Sequence, residues 1–542
     1  VFKTAPLFAL QNLELYGALP SVAEGVAAAL VNAPDNLVGV GMTPEGIEQN
    51  PAVYEFMAEM AFKGRAAQAA APGGLGSWFQ DYAKRRYAAA GPLPDATVAA
   101  LQGAWQLLVR SVYSCRDGLH NTVADIPTSR PGLSRAEIMG WGLMPHLWYD
   151  VGDVCAAWEL LLQAGADMPA LLEHSSAFVY DLLDVTRELL SKIAGRFWAD
   201  IATAYKAGSR DELCAAGQSL TSLLQDLDRL LGCHHGFMLG PVLQRARDYA
   251  AVCYDAAGAG AAGKAAAPGS PDVEMADAGA AAADSWGASN KRALEGIAPL
   301  IKGGSSSSLG SSDTGEQLMM LAEADMGIML PEASEQHQQQ ELAQFYEWNL
   351  RTQLTIWGTS AAAGDSEVSD YANKEWNGLI GTFYLPRWQA WLSRLEADLE
   401  QGRAYDAPAW RLEVLMMTYR WIATGSTQAA RAGTEGVPLQ QPAHVSAIAL
   451  TPQGDALALS RAAYDKYGRL LAPGCAATAA TAAAAAAAAA AGLPIPPAAS
   501  SIAATAAAAA AAAAAVVGAA AGAAAAAVAG SGAAAGVVKV VA

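Results

Sequence analysis

LVGVGMTPEGIEQNPAVYEFMAE, residues Leu37 to Glu59, is the stretch on which the reading of this chain turns. Its first part, Leu37 to Met42, is a short apolar run with glycines spaced through it. Such a run forms a fully buried parallel strand rather than an amphipathic helix. Pro44-Glu45-Gly46 breaks the strand. Asn50 suits the N-cap and Pro51 the first helical position, and Val53, Phe56, Met57 and Met60 follow at helical spacing. The pattern predicts strand, turn and helix, with Glu45 on the turn leaving a buried strand. In a parallel α/β barrel, that is where catalytic side chains emerge.

Longer words around this stretch resemble a known family. VGVGMTPEGIEQNPAVYEFMAEMAF, from Val38 to Phe62, is similar to the signature of the α-N-acetylglucosaminidase glycoside hydrolases. These are lysosomal or vacuolar enzymes that remove terminal α-linked N-acetylglucosamine from glycans such as heparan sulfate. In that family the glutamate after Met-x-Pro is the nucleophile of a retaining mechanism, and the resemblance places that role on Glu45. Glu48, three residues on, is the competitor in the sequence. It reads as a carboxylate decorating the start of the following helix, where the dipole favours negative charge.

Working outward toward the N-terminus, Val1 to Gln11 gives no clear pattern, and the text NLELYGALPSV from Asn12 resumes the resemblance. Ser21 and Glu24 have the spacing of a capping box for a helix running to about Leu30. Residues 1–66 then supply the end of one strand-helix unit and the whole of another, whereas a complete barrel needs eight units and about 250 residues. The shortfall bears on chemistry. A retaining glycosidase uses two carboxylates about 5 to 5.5 Å apart, one attacking the anomeric carbon and one protonating the leaving oxygen. In the family the acid is a glutamate in an Asn-Glu pair at an earlier strand end, and no such motif follows a strand here.

Beyond Arg65 the hydrophobic period becomes 3.6. Trp78 to Tyr87 and Val98 to Tyr113 read as helices, the second with Leu101, Trp105, Leu108 and Val112 on one face. Cys115 to Gly142 reads as a polar loop. Trp148-Tyr149 and Val154 to Leu162 open the next helical section, and one long helix follows with Leu182, Val185, Leu189, Ile193, Phe197 and Ile201 in step. Ser209 and Glu212 cap another, which buries Leu220, Leu223, Leu224 and Leu227 and stops at Gly232. Near Tyr254 the composition collapses into Ala, Gly and Ser, and a Glu/Gln-rich run ends the interruption before residue 341. Within it Met319, Met320 and Leu321 suit a short docked helix.

After the insertion, FYEWNLRTQLTIWG takes up the resemblance again as a helix from Phe345 to Trp357. Ser369 to Lys374 opens another that runs through Trp376 and Leu379 to Trp388. In the family, the tryptophan of QLT-x-WG and the tyrosine of DYANK line the sugar pocket, and the resemblance assigns these roles to Trp357 and Tyr371, with Val368 at the adjoining apolar position. An aromatic face packs on a sugar ring, and a phenol supplies a hydrogen bond at its wet end. On residue type alone both read more readily as core aromatics of a helical bundle. Trp391 to Leu399, Trp410 to Trp421 and GDALALSRAAYDKY from Gly454 continue the bundle. From Ala476 the chain is nearly all alanine, which favours helix but offers little surface to bury.

Composition narrows the partners. The hydrophobic share of 53% owes much to those alanine runs, so the core must come from the parts that hold most of the 14 Trp and 17 Tyr. A net charge of −18, with no Lys/Arg cluster interleaved with aromatics, argues against a nucleic-acid partner and confines any contact with a sulfated glycan to a local patch. The alanine runs lack the Leu, Ile and Phe that drive membrane insertion, so no membrane span is expected. Six cysteines without a C-x-x-C pair form no disulfide framework and leave the compartment open, and the seven histidines, His234-His235 included, show no metal-ligand spacing. No basic-then-apolar leader opens the chain and no N-x-S/T sequon occurs. Nothing in the sequence sets the oligomeric state.

The fold expected is mainly α: an all-helical C-terminal domain at 67–253 and 341–470, preceded by the last part of a (β/α)8 barrel at 1–66. A low-complexity insertion at 254–340 and an Ala-rich tail at 471–542 complete it. The resemblance implies a retaining hydrolase needing no cofactor, whose substrate is a glycan ending in N-acetylglucosamine. The missing acid supports a second reading, a helical interaction or scaffold protein derived from that family, or the simpler one that the chain is an incomplete gene product.

Overall fold

Strand β1 (Phe2–Thr4), helix α1 (Leu19–Asn32) and strand β2 (Val40–Met42) form a β-α-β unit, and helix α2 (Pro51–Lys63) follows it. The strands run parallel, with Phe2 opposite Val40 and Thr4 opposite Met42. This is the repeating piece of a parallel α/β barrel. β1 falls where the sequence showed no pattern, because a three-residue strand is too short to display one. Parallel pairing of the Val40–Met42 end of the run accords with its reading as a parallel strand.

The computed structural model describes residues 2–4, 15–32, 40–42, 50–63, 74–116, 126–138, 147–246, 248, 351, 375–423 and 448–471. After α2 come α3 (Gly74–Arg86), α4 (Asp95–Arg110), α5 (Val151–Asp167), α6 (Ser176–Ala207), α7 (Arg210–Leu231), α8 (Leu385–Glu400), α9 (Ala407–Ala423) and α10 (Ala456–Tyr467). The fold is therefore mainly α, with an all-helical domain following the barrel piece. The chain divides into two compact units: Val1–Thr122, Met144–Leu189 and Ala456–Ala542 make the first, and Val123–Leu143 and Leu190–Asp455 the second. The insertion at 254–340, with its Met319 to Leu321, and the tail from Ala476 lie outside the described residues.

In the first unit α4 packs between α3 and α5. Leu101, Trp105 and Leu108 are buried as their spacing requires, and Val112 is buried in the turn just past the helix end. Trp105 meets Phe79 and Tyr82 of α3 at 5.6 and 4.8 Å between ring centroids. On the other side of α5, Trp158 meets Tyr464 of α10 edge-on at 5.1 Å. The capping box expected at Ser21 and Glu24 is absent. α1 begins earlier, at Leu19, because the backbone of residues 17–19 pairs with the turn after α4: Gly17 N–H donates to Val112 O at 3.1 Å and Leu19 N–H to Tyr113 O at 3.2 Å. Ser21 is thus inside the helix, and Glu24 pairs with Arg116 on the surface.

In the second unit α7 buries the stripe Leu220, Leu223, Leu224 and Leu227 completely, each such side chain contributing about 1.5–3 kcal/mol. Ser209 precedes α7 as expected, but its side chain makes no cap bond. The helix expected to run through Trp376 starts only at Leu379. Asn377 instead pairs with the chain at Phe237–Leu239, its N–H 2.7 Å from Phe237 O, and Gly378 turns with φ 87°, a conformation that suits glycine. Asp228 of α7 caps the new start: its Oδ1 accepts the N–H groups of Gly378 and Gly381 at 2.8 and 3.0 Å. Gly381 is required there, since a Cβ would lie 2.7 Å from Asp228 Oδ2. Residues Ile380–Tyr384 wind as one π turn before α8. On α6, Phe197 is half-buried and its neighbour Trp198 takes the buried position.

The segment read as a polar loop is, over residues 126–138, an inner strut of the second unit. Its carbonyls are taken by side-chain donors: Pro127 O by Trp388 Nε1 at 3.2 Å, Thr128 O by Arg387 at 2.6 Å, Pro131 O by Trp410 Nε1 at 2.8 Å and Gly132 O by Trp198 Nε1 at 2.8 Å. Buried backbone acceptors need partners, and an indole is a donor only.

Candidate functional site

Glu45 stands three residues beyond Met42, the last residue of β2, and five before Asn50. Both ends of that span are fixed. Met42 pairs with Thr4 of β1. Asn50, 5% exposed, immediately precedes α2 as expected, but in an unusual state: φ is 46°, and its Oδ1 accepts the Tyr16 N–H at 3.0 Å. Its carbonyl meanwhile accepts the Val53 N–H at 2.9 Å and closes the first turn of α2.

The backbone that Asn50 grips is itself held. Leu15 N–H donates to Glu188 Oε2 and Tyr149 O–H to Glu188 Oε1, each at 2.9 Å. Glu188 projects from α6 with no exposed surface, so these donors stand where water would be. The Tyr16 ring meets Trp148 edge-on at 5.4 Å. One turn of α6 earlier, Asp184 pairs with Arg187 at 2.8 Å, and Asp181 receives both Arg86 and the Tyr87 hydroxyl. Burial by itself depresses the Arg86 guanidinium, but the Asp181 carboxylate reverses that and raises it above its ordinary value. Burial, seconded by Asp181, pushes the Tyr87 phenol well up. Arg86 therefore stays cationic and Tyr87 neutral near neutrality, and both serve as structure rather than as acids or bases.

Glu45, its competitor Glu48, Trp357, Val368 and Tyr371 all lie outside the described residues. Two described residues stand near them in the sequence. Arg351, six residues before Trp357, is 1% exposed, donates to Trp421 O at 3.0 Å and lies 4.7 Å from the centre of the Trp421 ring. Glu375, four residues after Tyr371, is fully buried and accepts the Ser191 hydroxyl at 2.8 Å. Sequence reasoning passed over Asn50's second task and over Glu188, Arg351, Asp228 and Glu375. A signal existed for Glu188, a carboxylate set beside the apolar stripe of α6 between Val185 and Leu189.

Other chemistry finds little support. Among the described residues no group of three or more His, Cys, Asp or Glu is arranged to hold a metal ion. His234 follows the end of α7, and its Nδ1 accepts the Gly236 N–H at 3.0 Å. Cys115, Cys155, Cys214 and Cys233 are thiols rather than halves of a disulfide. Burial pushes the Cys233 thiol up to about 11, which keeps it protonated and poorly nucleophilic at neutral pH. No described helix is long and apolar enough to cross a membrane.

Comparison with known proteins bears on both parts of the chain. The family model of the alpha-N-acetylglucosaminidase (NAGLU) tim-barrel domain matches residues 8–64, which include Glu45. That of the alpha-N-acetylglucosaminidase (NAGLU) C-terminal domain matches residues 78–258 and 320–466. Alpha-N-acetylglucosaminidase of Homo sapiens is 30% identical over 395 residues, which are 72% of this chain and 37% of the human protein. The chain therefore spans little more than a third of that relative's length. Among solved structures, CpGH89 of Clostridium perfringens, in complex with its substrate GlcNAc-alpha-1,4-galactose, superposes with a TM-score of 0.54 at 19% identity, covering 85% of this chain and 39% of that one. A Family 89 glycoside hydrolase of the same organism in complex with PUGNAc gives 0.54 at 19% identity, over 84% of this chain and 38% of that one. These likenesses concern the fold.

Proposed function

Because this chain belongs to the alpha-N-acetylglucosaminidase family, whose C-terminal domain model matches more than half of its length, we propose that it is the C-terminal part of a retaining glycoside hydrolase. The substrate is a glycan ending in α-linked N-acetylglucosamine, heparan sulfate being the case the family suggests. The observation that carries this reading is the match of the barrel model across residues 8–64, which include Glu45.

In the proposed mechanism a Glu45 carboxylate oxygen attacks the anomeric carbon. The bond to the leaving oxygen breaks with its electron pair, and the general acid protonates that oxygen. Water then displaces Glu45 from the glycosyl-enzyme with net retention. Trp357 offers its face to the sugar, Tyr371 a hydrogen bond and Val368 an apolar wall. The reaction calls for no metal or organic cofactor. The family's compartment, lysosomal, vacuolar or secretory, is proposed for this chain as well, with 1–66 as barrel and 67–253 plus 341–470 as the helical domain.

These 542 residues contain no strand-exit Asn-Glu pair to act as the acid. Assayed alone, the chain is expected to give no turnover of an aryl α-N-acetylglucosaminide. Transcript sequence upstream of the Val1 codon that encodes the Asn-Glu pair would complete the carboxylate couple. In that longer protein, Glu45→Gln is expected to lower kcat by on the order of 10⁴-fold or more. Retained turnover in E45Q overturns the assignment. The absent motif equally favours a non-catalytic helical scaffold, and a transcript that starts here together with an inactive chain would select that reading.

A further inference from the structure

We propose that His234 is a pH-sensitive cap: with its ring neutral it holds the short turn that presents residues 237–239 to Asn377, and with its ring protonated it lets that turn go. The inference stands apart from the proposed reaction and needs nothing of Glu45. His234 follows α7 in extended backbone and caps the 3-10 turn His235–Phe237. Its Nδ1 accepts the Gly236 N–H at 3.0 Å, and its carbonyl accepts the Phe237 N–H at 3.0 Å. A cap is ordinarily Ser, Thr, Asp or Asn, whose oxygen keeps a lone pair free at every pH the protein meets. An imidazole nitrogen accepts only while unprotonated, and an imidazole ordinarily changes charge near about pH 6.5. A proton on Nδ1 sets two donors against each other.

What the cap holds is buried and tied to a distant part of the chain. Phe237, Met238 and Leu239 are each at most 1% exposed. Phe237 O accepts the Asn377 N–H at 2.7 Å, and Asn377 O accepts the Leu239 N–H at 3.1 Å. Asn377 Nδ2 donates to Asp228 O at 2.8 Å, so the same tie fixes the entry to the π turn before α8. Several titratable groups stand on the elements around the turn. The His235 ring stacks on that of His234 with centroids 4.3 Å apart, so a charge on one repels a charge on the other. Burial, seconded by Asp455, pushes the Cys233 thiol up to about 11 and leaves it neutral. Gln453 N–H, donating to Gly232 O at 2.8 Å, brings the Asp455 segment against the turn. On α7, Arg229 lies 4.0 Å from Asp226, and Asp228 caps Gly378 and Gly381. Before Asn377, Glu375 accepts the Ser191 hydroxyl.

The test compares the native full chain with His234→Asn, whose side-chain oxygen accepts the same N–H without titrating, and with His235→Gln, which removes the second ring. The ¹³Cε1 resonance of His234, assigned by its loss in H234N, reports the charge of the ring from about pH 8 to about pH 5. Hydrogen exchange of the Gly236 and Asn377 amides, divided at each pH by the intrinsic rate, reports the turn. As the His234 resonance titrates, protection of both amides is expected to fall about fivefold or more, the usual worth of a cap bond, while the amides of residues 223–227 in α7 keep theirs. H234N is expected to hold its protection level across the range, and H235Q to keep the fall. The proposal is overturned if the ring does not titrate in that range, if it titrates with protection unchanged, if the fall persists in H234N or vanishes in H235Q, or if α7 opens as well. Should H234N fail to fold, the resonance is assigned through the native backbone, and coincidence or separation of the two native curves decides.

Discussion

In the first unit a row of buried charges stands on one helix, α6, and each carboxylate meets a charge or a donor: Asp181 meets Arg86 and Tyr87, Asp184 meets Arg187, and Glu188 meets Leu15 N–H and Tyr149. In the second unit a run of buried main-chain carbonyls, in residues 127–132, is met instead by indoles and one guanidinium. The difference lies in what is lost when a partner goes. A buried charge deprived of its counter-charge faces nearly its whole desolvation cost, whereas a carbonyl deprived of an indole loses one neutral hydrogen bond. Prolines 127 and 131 ease the second case further, since they bring no N–H that needs a partner.

That contrast can be broken by measurement. Asp181→Ala leaves Arg86 buried without its carboxylate and Tyr87 without its acceptor, and is expected to cost about 3–5 kcal/mol in urea unfolding of the intact chain. A cost no larger than that of an indole deletion would dissolve the distinction. Trp410→Phe keeps an aromatic six-membered ring but strips Pro131 O of its donor and leaves a small void, and is expected to cost about 1–3 kcal/mol.

Asp228 sharpens the comparison, because it is a charge used to cap backbone N–H groups. Burial raises its carboxyl above the ordinary range, against the lowering pull of the Gly378 and Gly381 N–H bonds and of Arg229. With the folded pKa above the unfolded one, the folded state binds the proton more tightly. This group's contribution to stability is then greatest at low pH and is lost as pH rises from the unfolded value through the folded one, with a slope of at most about 1.4 kcal/mol per pH unit. Asp228→Asn is expected to remove that pH dependence from unfolding curves collected from pH 3 upward, and an unchanged profile would contradict it. The smallest effect belongs to Ser209→Ala. A working N-cap contributes about 1 kcal/mol, but Ser209 makes no cap bond, so a change within about 0.5 kcal/mol is expected. A full cap-sized loss in thermal unfolding would show that the bond forms.

Legibility followed the range of the interaction. Helices such as α4, α6 and α7 were readable because burial of a stripe like Leu220, Leu223, Leu224 and Leu227 depends on a spacing written along the chain. The helix starts were less so. Ser21 with Glu24 has the form of a capping box, yet the start of α1 is decided by pairing with residues 112–115. The Trp376 stretch reads as helix, yet Asn377 is drawn into pairing with residues 237–239 and Gly378 bends away. Of the candidate site, the words that carry Glu45, Trp357 and Tyr371 were legible as family text, while the residues themselves lie outside the described ones. Asn50's grip on Tyr16 was not, because nothing local connects residues 34 positions apart.

The sequence alone determined the strand that ends at Met42, the helix that begins at Pro51, the change to helical period after Arg65, and the family to which these patterns belong, since each depends on residue type and spacing along the chain. Only the tertiary structure decided where helices begin, which polar groups are buried, and that Asn50, Tyr16 and Glu188 form one connected hold. Those outcomes depend on which distant donor meets which acceptor once water is excluded, and spacing along a chain carries no record of that.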